Sequence, residues 1–192
     1  MGATVGVLAL QGAFSEHMEM LRGLGAQCRE IRQKRDLDGG LDGLILPGGE
    51  SSVMGNLLEK TELFTPLRDA ITKGLPVFGT CAGLILLAKN IEDSPKTHFG
   101  VLDITLRRHG FGRQINSFCE NGAFTPTGSP TAEIPMVFIR GPYITGIGEG
   151  VQVLAKMHGQ IVAVQQGHIL GAAFHPEVTT DTTVHEYFLK ML

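Results

Sequence analysis

Gly79-Thr80-Cys81-Ala82-Gly83 sets a thiol between two glycines. An apolar run at residues 75–78 precedes it, and a second at 84–88 follows. G-x-C-x-G at a strand-to-helix junction reads as a nucleophile elbow, a tight turn that lifts its central side chain out of the packed layers. It also places the thiol at a helix N-terminus, where a negatively charged nucleophile is stabilised. A buried structural cysteine between packing glycines is the other reading of the motif alone. A second group shifts the balance. Residues 169–174 form a short apolar run that leads into His175-Pro176-Glu177. On an extended segment, residues two apart point the same way, so Glu177 is placed to orient the His175 imidazole. Cys81, His175 and Glu177 then have the logic of a base-activated nucleophile whose base is held by a third group. Zinc fits less well: no second Cys or His stands at ligand spacing, and there is no C-x-x-C. No metal is expected.

Acyl transfer also needs donors for the oxyanion. The backbone N–H groups of Ala82, just after the nucleophile, and of Gly49 are the candidates. Gly49 belongs to a loop, Pro47-Gly48-Gly49-Glu50-Ser51-Ser52, that opens a helix. The loop lacks the lysine of a P-loop, which argues against a phosphate cradle.

The elements that must position these groups alternate. Strands are expected at residues 4–10, Gln27–Ile31, 41–46 and 75–78. Between them, Phe14, Met18 and Leu21 recur at helical spacing; Ser51 or Ser52 caps a second helix, and Thr65-Pro66 starts a third. Further strands are read at 101–107 and 136–140, a hairpin at 151–157 and 161–166, and a last strand at 169–174. A final helix starts with Thr183 and Glu186 as a capping box. Residues 90–99 and 122–135 read as loops. This order predicts an α/β fold: a three-layer, mostly parallel sheet with helices on both faces, extended or flanked by an antiparallel second half. The elbow, the Gly-rich loop, the Gln11-Gly12 turn and His175 all follow strands, and such sheets bind ligands beyond their strands' carboxyl ends.

Composition sets outer limits. A chain of 192 residues is most simply one domain, spanning 1–192, with a full hydrophobic core. Apolar content of 43% against 18% charged argues for a folded globular protein, and a net charge of −3 leaves no basic footprint for nucleic acid. The three cysteines, Cys28, Cys81 and Cys119, form no disulfide framework. No targeting segment or membrane-spanning run is apparent, and a cytoplasmic location is expected. The remaining histidines read as surface or turn residues: His17 on the first helix, and His98, His109, His158, His168 and His185.

The motifs together resemble a known family. Pro47-Gly48-Gly49-Glu50-Ser51, Gly79-Thr80-Cys81-Ala82-Gly83 and Phe174-His175-Pro176-Glu177 are similar to those of class I (triad) glutamine amidotransferases. Leu8-Ala9-Leu10-Gln11-Gly12-Ala13 with Glu16-His17, Phe111-Gly112-Arg113-Gln114 and Phe138-Ile139-Arg140-Gly141-Pro142 resemble, more narrowly, the glutaminase subunits of pyridoxal 5′-phosphate synthase, the PdxT family. The resemblance covers nearly the whole chain. It implies a flavodoxin-like core, no cofactor, and hydrolysis of L-glutamine to L-glutamate and ammonia through a Cys81 thioester. Gly49, Glu50 and Ser51 match the family's glutamine-binding loop, and Arg108, Ile139 and Arg140 match its other substrate contacts. An arginine is a sensible partner for the α-carboxylate of glutamine. The resemblance further implies ammonia delivery to a (β/α)₈-barrel synthase subunit of the PdxS type within a large hetero-oligomer. Gln11 and Gly12 are candidate contacts there, and the partner completes the oxyanion hole around Gly48-Gly49. The alternatives are a γ-glutamyl hydrolase or cysteine peptidase, a glutaminase serving another pathway, and a non-enzymatic module on the same fold.

Overall fold

Val5, Val7 and Leu8 are wholly buried, as are Leu44, Ile45 and Leu46 and, further on, Val77 and Phe78. Runs apolar on both faces belong inside a parallel sheet rather than at its surface. In this computed structural model, which describes residues 2–92, 94–108 and 117–192, they form its centre. In chain order the elements are β1 (Thr4–Leu8), α1 (Phe14–Gly23), β2 (Gln27–Ile31), β3 (Gly43–Leu46), α2 (Ser51–Lys60), α3 (Phe64–Thr72), β4 (Val77–Thr80) and α4 (Ala82–Leu87). There follow β5 (Ala88–Ile91), β6 (Leu102–Arg107), β7 (Ser117–Phe124), β8 (Ala132–Ile139), β9 (Tyr143–Ile147), β10 (Gln152–Met157), β11 (Gln160–Gln166), β12 (Ile169–Ala172) and α5 (Thr183–Lys190).

The strands run in the order β2-β1-β3-β4-β12-β11-β10-β7-β8, with β5, β6 and β9 joined alongside through β11. From β2 to β12 all pairings are parallel. Beyond β12 the main path is antiparallel. The expected α/β sheet with an antiparallel extension is therefore present. Adjacent residues of β4 show the layers. Phe78 packs edge-on to His17 of α1 and His185 of α5. Gly79 points the other way, where a Cβ would come within 2.7 Å of the Gly83 backbone in α4. α2 lies on α4, and α3 on α2. Helices thus cover both faces.

Register sets the site. Leu46 of β3 pairs with Gly79 of β4, and Thr80 of β4 with Ala172 of β12. Their carboxyl ends are level, so the Gly-rich loop, Cys81 and His175 emerge side by side. β1 lies between β2 and β3, and the order reverses there. The turn after β1 and the loop after β3 consequently meet at a topological switch point.

Several local expectations are corrected. α2 is capped by Glu50, not by Ser51 or Ser52: its carboxylate accepts the N–H groups of Ser52 and Val53 at 3.1 and 3.0 Å. α3 begins ahead of Thr65-Pro66, with Leu63 at the cap and Pro66 inside the first turn, where a missing N–H costs nothing. At α5 the cap is Thr182, whose hydroxyl bonds the Glu186 carboxylate at 2.6 Å, and Thr183 is already helical. β5, β7 and β9 are strands the sequence did not show. β7 is mostly exposed and carries Glu120-Asn121-Gly122, poor strand formers alone, but it pairs with β8 along its whole length. Pro135 is accommodated because β8 is the last strand on that path, at a sheet edge.

Candidate active site

Cys81 adopts φ 47° and ψ −101°, a left-handed conformation that L-residues avoid. Three contacts hold it there. Its N–H donates to the Ala172 carbonyl at 2.8 Å. Gly79 lies against Gly83, and Gly83 lies so close to β3 that a Cβ would come within 1.9 Å of the Leu46 carbonyl oxygen. The two glycines of the motif are therefore close-approach residues that let α4 start directly above the sheet. Because the Cys81 N–H is spent on Ala172, Ala82 supplies the first amide of α4 beyond the sulfur.

His175 leaves β12 with its N–H on the Val137 carbonyl of β8, at 2.8 Å. Its Nδ1 is 2.7 Å from Glu177 Oε1. Glu177 reaches the ring by a different backbone from the extended one expected. Pro176 fixes φ and begins a 3₁₀ turn, Pro176–Val178, that the Thr179 hydroxyl closes on the Pro176 carbonyl at 2.9 Å. With Nδ1 occupied, the imidazole keeps Nε2 for its hydrogen bond with Cys81. Burial pulls the His175 pKa down. The hydrogen bonds to Cys81 and Glu177 and their negative charges outweigh it and push the value up to about 10. At neutral pH the ring is therefore an imidazolium.

A cavity of about 410 Å³ opens over this pair. Its lining brings together Gly12, Gly48, Gly49, Glu50, Ser51, Cys81, Arg108, Ile139, Arg140 and His175. Of the candidate residues, Ala82 and Glu177 are outside its lining, both buried, Glu177 behind His175. Gln11 stands at its margin and accepts the Glu50 N–H at 2.8 Å. Arg140 has φ 46°, a sharp turn after β8 that directs the chain into the rim. The Gly48 carbonyl accepts the Ala13 N–H at 3.1 Å, which ties the Gly-rich loop to the Gln11-Gly12 turn. Phe111-Gly112-Arg113-Gln114 lies outside the described residues. No helix among those described is long and apolar enough to cross a membrane.

A family model described as the SNO glutamine amidotransferase family matches residues 7–192. The chain belongs to that family. It is an enzyme of the glutamine amidotransferase type. At 48% identity over 190 residues, it is similar to the pyridoxal 5′-phosphate synthase subunit PdxT of Streptococcus pneumoniae, covering 97% of this chain and 96% of the relative. A crystal structure of a glutamine amidotransferase superposes with a TM-score of 0.90 at 44% identity, over 97% of each chain. The PurLQS structure from Thermotoga maritima, 18% identical, covers all of this chain and 96% of its own with a TM-score of 0.72, and shares the fold.

Two site-adjacent residues were misread as surface histidines. His17 and His185 are wholly buried. His17 Nδ1 is 2.8 Å from His185 Nε2, and His17 Nε2 is 3.0 Å from Thr80 Oγ1, directly before Cys81. The signal was available: His17 is three residues after Phe14 and four before Leu21, and His185 is three before Phe188. Each shares the inward stripe of its helix.

Proposed function

We propose that this chain is the cytoplasmic, single-domain glutaminase of a pyridoxal 5′-phosphate synthase, which hydrolyses L-glutamine and passes ammonia to a (β/α)₈-barrel partner subunit. The observation that carries the chemistry is the hydrogen-bonded chain Cys81–His175–Glu177, open on the substrate side to a cavity edged with glycine backbone and two arginines. The near full-length similarity to a pyridoxal 5′-phosphate synthase subunit supports the pathway.

Glutamine enters with its side-chain amide over Cys81 and its α-carboxylate toward Arg108 and Arg140, while Glu50, Ser51 and Ile139 line its stem. The Cys81 sulfur attacks the amide carbon, and the oxyanion falls to the Ala82 and Gly49 N–H groups. His175 gives its Nε2 proton to the departing nitrogen, releasing ammonia and leaving a γ-glutamyl thioester. The thioester has no charge for the imidazole to pair with, so the Cys81 share of the pull that raised the His175 pKa falls away, while that of Glu177 remains. His175 can then take a proton from water, which attacks the thioester and releases glutamate and the thiolate. Glu177 keeps the ring in register through both half-reactions.

The tie from the Gly48 carbonyl to the Ala13 N–H gives the partner a handle. A peptide's C=O and N–H point in opposite directions, so that tie fixes where the Gly49 N–H points. A partner seated on Gln11-Gly12 can reset that peptide and complete the oxyanion hole.

The test is glutamate release from glutamine by the purified chain, with and without the barrel subunit, beside Cys81→Ala. Release that needs Cys81 and rises with the partner is expected. Release indifferent to the partner would remove the pathway assignment, and hydrolysis of a γ-glutamyl peptide in preference to glutamine would replace the substrate.

A further inference from the structure

The polar chain at the active site does not end at Glu177. Its Oε1 is taken by His175, but Oε2 is buried and has no hydrogen-bond donor among the described residues. The polar atom facing it is His17 Nε2, at 3.5 Å. Burial first, then the charges of His185 and His175, hold the His17 pKa well below the ordinary imidazole value. Burial also pushes His185 down to about 4. Both rings are therefore neutral near pH 7, and the contact from His17 to Glu177 is not an ion pair. The titratable groups facing His17 are His185 from α5 and His175 and Glu177 from the segment after β12.

A neutral imidazole has one N–H, so the protons can be placed by accounting. Suppose His17 donates from Nδ1 to His185 Nε2. His185 must then hold its proton on Nδ1, a buried atom with no partner among the described residues. The bare Nε2 lone pair of His17 would also face the Glu177 carboxylate. Both consequences are unfavourable, and a buried unpaired N–H is the costlier kind of orphan. Now let His185 donate from Nε2 to His17 Nδ1. His17 then holds its proton on Nε2, where Thr80 Oγ1 and Glu177 Oε2 can share it. The remaining orphan is a lone pair on His185 Nδ1.

From this arrangement we propose that His17 is a positioning residue for the glutaminase reaction. Fixed as its Nε2–H form by His185, it presents that N–H to the second oxygen of Glu177 and so holds the carboxylate on His175. The proposal rests on the glutaminase reading for its kinetic arm alone. The hydrogen-bond arm is a property of the fold.

The first measurement is the ring ¹⁵N spectrum of ¹⁵N-histidine-labelled protein near pH 7, with peaks assigned through His17→Gln and His185→Gln. Neutral Nε2–H forms at both residues are expected. An Nδ1–H form or an imidazolium at His17 would overturn the proposal, whether or not the protein hydrolyses glutamine. The second is kinetic. Gln at 17 can place an amide N–H where Nε2 stands, whereas Asn reaches only the Nδ1 position. His17→Gln should keep most of kcat. His17→Asn should lose about tenfold or more in kcat with KM little changed, from losing the N–H that faces the Glu177 carboxylate. Equal kcat in the two variants would count against the proposal. If His17→Asn fails to fold, the tautomer in the wild-type protein decides alone.

Discussion

A Cβ on Gly12 would stand 1.7 Å from the Gly48 carbonyl oxygen. The turn after β1 and the loop after β3 therefore touch backbone to backbone, and a side chain at 12 would displace the strip that carries Gly49. Gly12 also has φ +90°, which a non-glycine residue adopts only under strain. Gly12→Ala should cost about 1–3 kcal/mol in stability. Because the displaced peptide precedes a proposed oxyanion donor, kcat should fall by about 100-fold in the folded protein. Urea unfolding and steady-state glutaminase assays measure the two effects. Stability lost without any change in kcat would show that the Gly48–Gly49 peptide does not serve the oxyanion.

The raised pKa of His175 has consequences for both stability and rate. The folded-state value is about 10 against an ordinary 6.5. Its stabilising contribution is complete below pH 6.5 and is lost as pH climbs toward 10. The wild-type protein should thus lose melting temperature more steeply between neutral and alkaline pH than His175→Asn does. The first-turnover release of ammonia, which needs the imidazolium as proton donor, should decline only as pH nears that upper value. Deacylation, which needs the neutral ring, should not share this limb. Parallel melting slopes for the two proteins would mean that the shifted histidine is not 175.

Much of the candidate site was legible because its parts are local. Gly79-Thr80-Cys81-Ala82-Gly83 announces a turn by its glycines, and His175 and Glu177 lie two residues apart. Their backbones were less legible, since Pro176 makes a 3₁₀ turn where a strand was expected. The parallel half of the sheet could be read from runs such as Leu44–Leu46, buried on both faces. The antiparallel half could not be read as well. β7 has little apolar pattern of its own and exists through its pairing with β8. His17 and His185 escaped because histidine is common on surfaces. Only tertiary packing, 168 residues apart in sequence, brings the two rings within 2.8 Å.

Glu50 has two tasks that substitution can separate. Its side chain caps α2 through Ser52 N and Val53 N, and its residue lines the cavity. Glu50→Ala removes the cap and should cost about 1 kcal/mol of stability. Glu50→Asp shortens the side chain but keeps a good capping oxygen, so it should restore most of that loss. If Glu50 also lines the glutamine stem, Asp should still raise KM. Wild-type KM in the Asp variant would confine Glu50 to the helix end.

Glu177→Gln tests how the carboxylate acts. The charge that helps hold the His175 pKa up is lost, so the alkaline limb of ammonia release should move to lower pH. Geometry adds a second effect. If the amide oxygen takes the place of Oε1 and accepts from His175 Nδ1, its NH₂ faces the N–H of His17, donor against donor. If the amide turns over, its NH₂ faces Nδ1 and drives the imidazole toward the tautomer with its proton on Nε2 and none on Nδ1. The clash with His17 disfavours the first orientation and the second leaves no base on Nε2, so deacylation should become the slow step. The variant should therefore accumulate γ-glutamyl thioester on Cys81, visible as a mass increase on the intact protein after mixing with glutamine. Its steady-state kcat should fall by about 100-fold or more while residual turnover persists. Wild-type kcat in this variant would remove Glu177 from the mechanism, and a fall in kcat without thioester would place its effect before acylation.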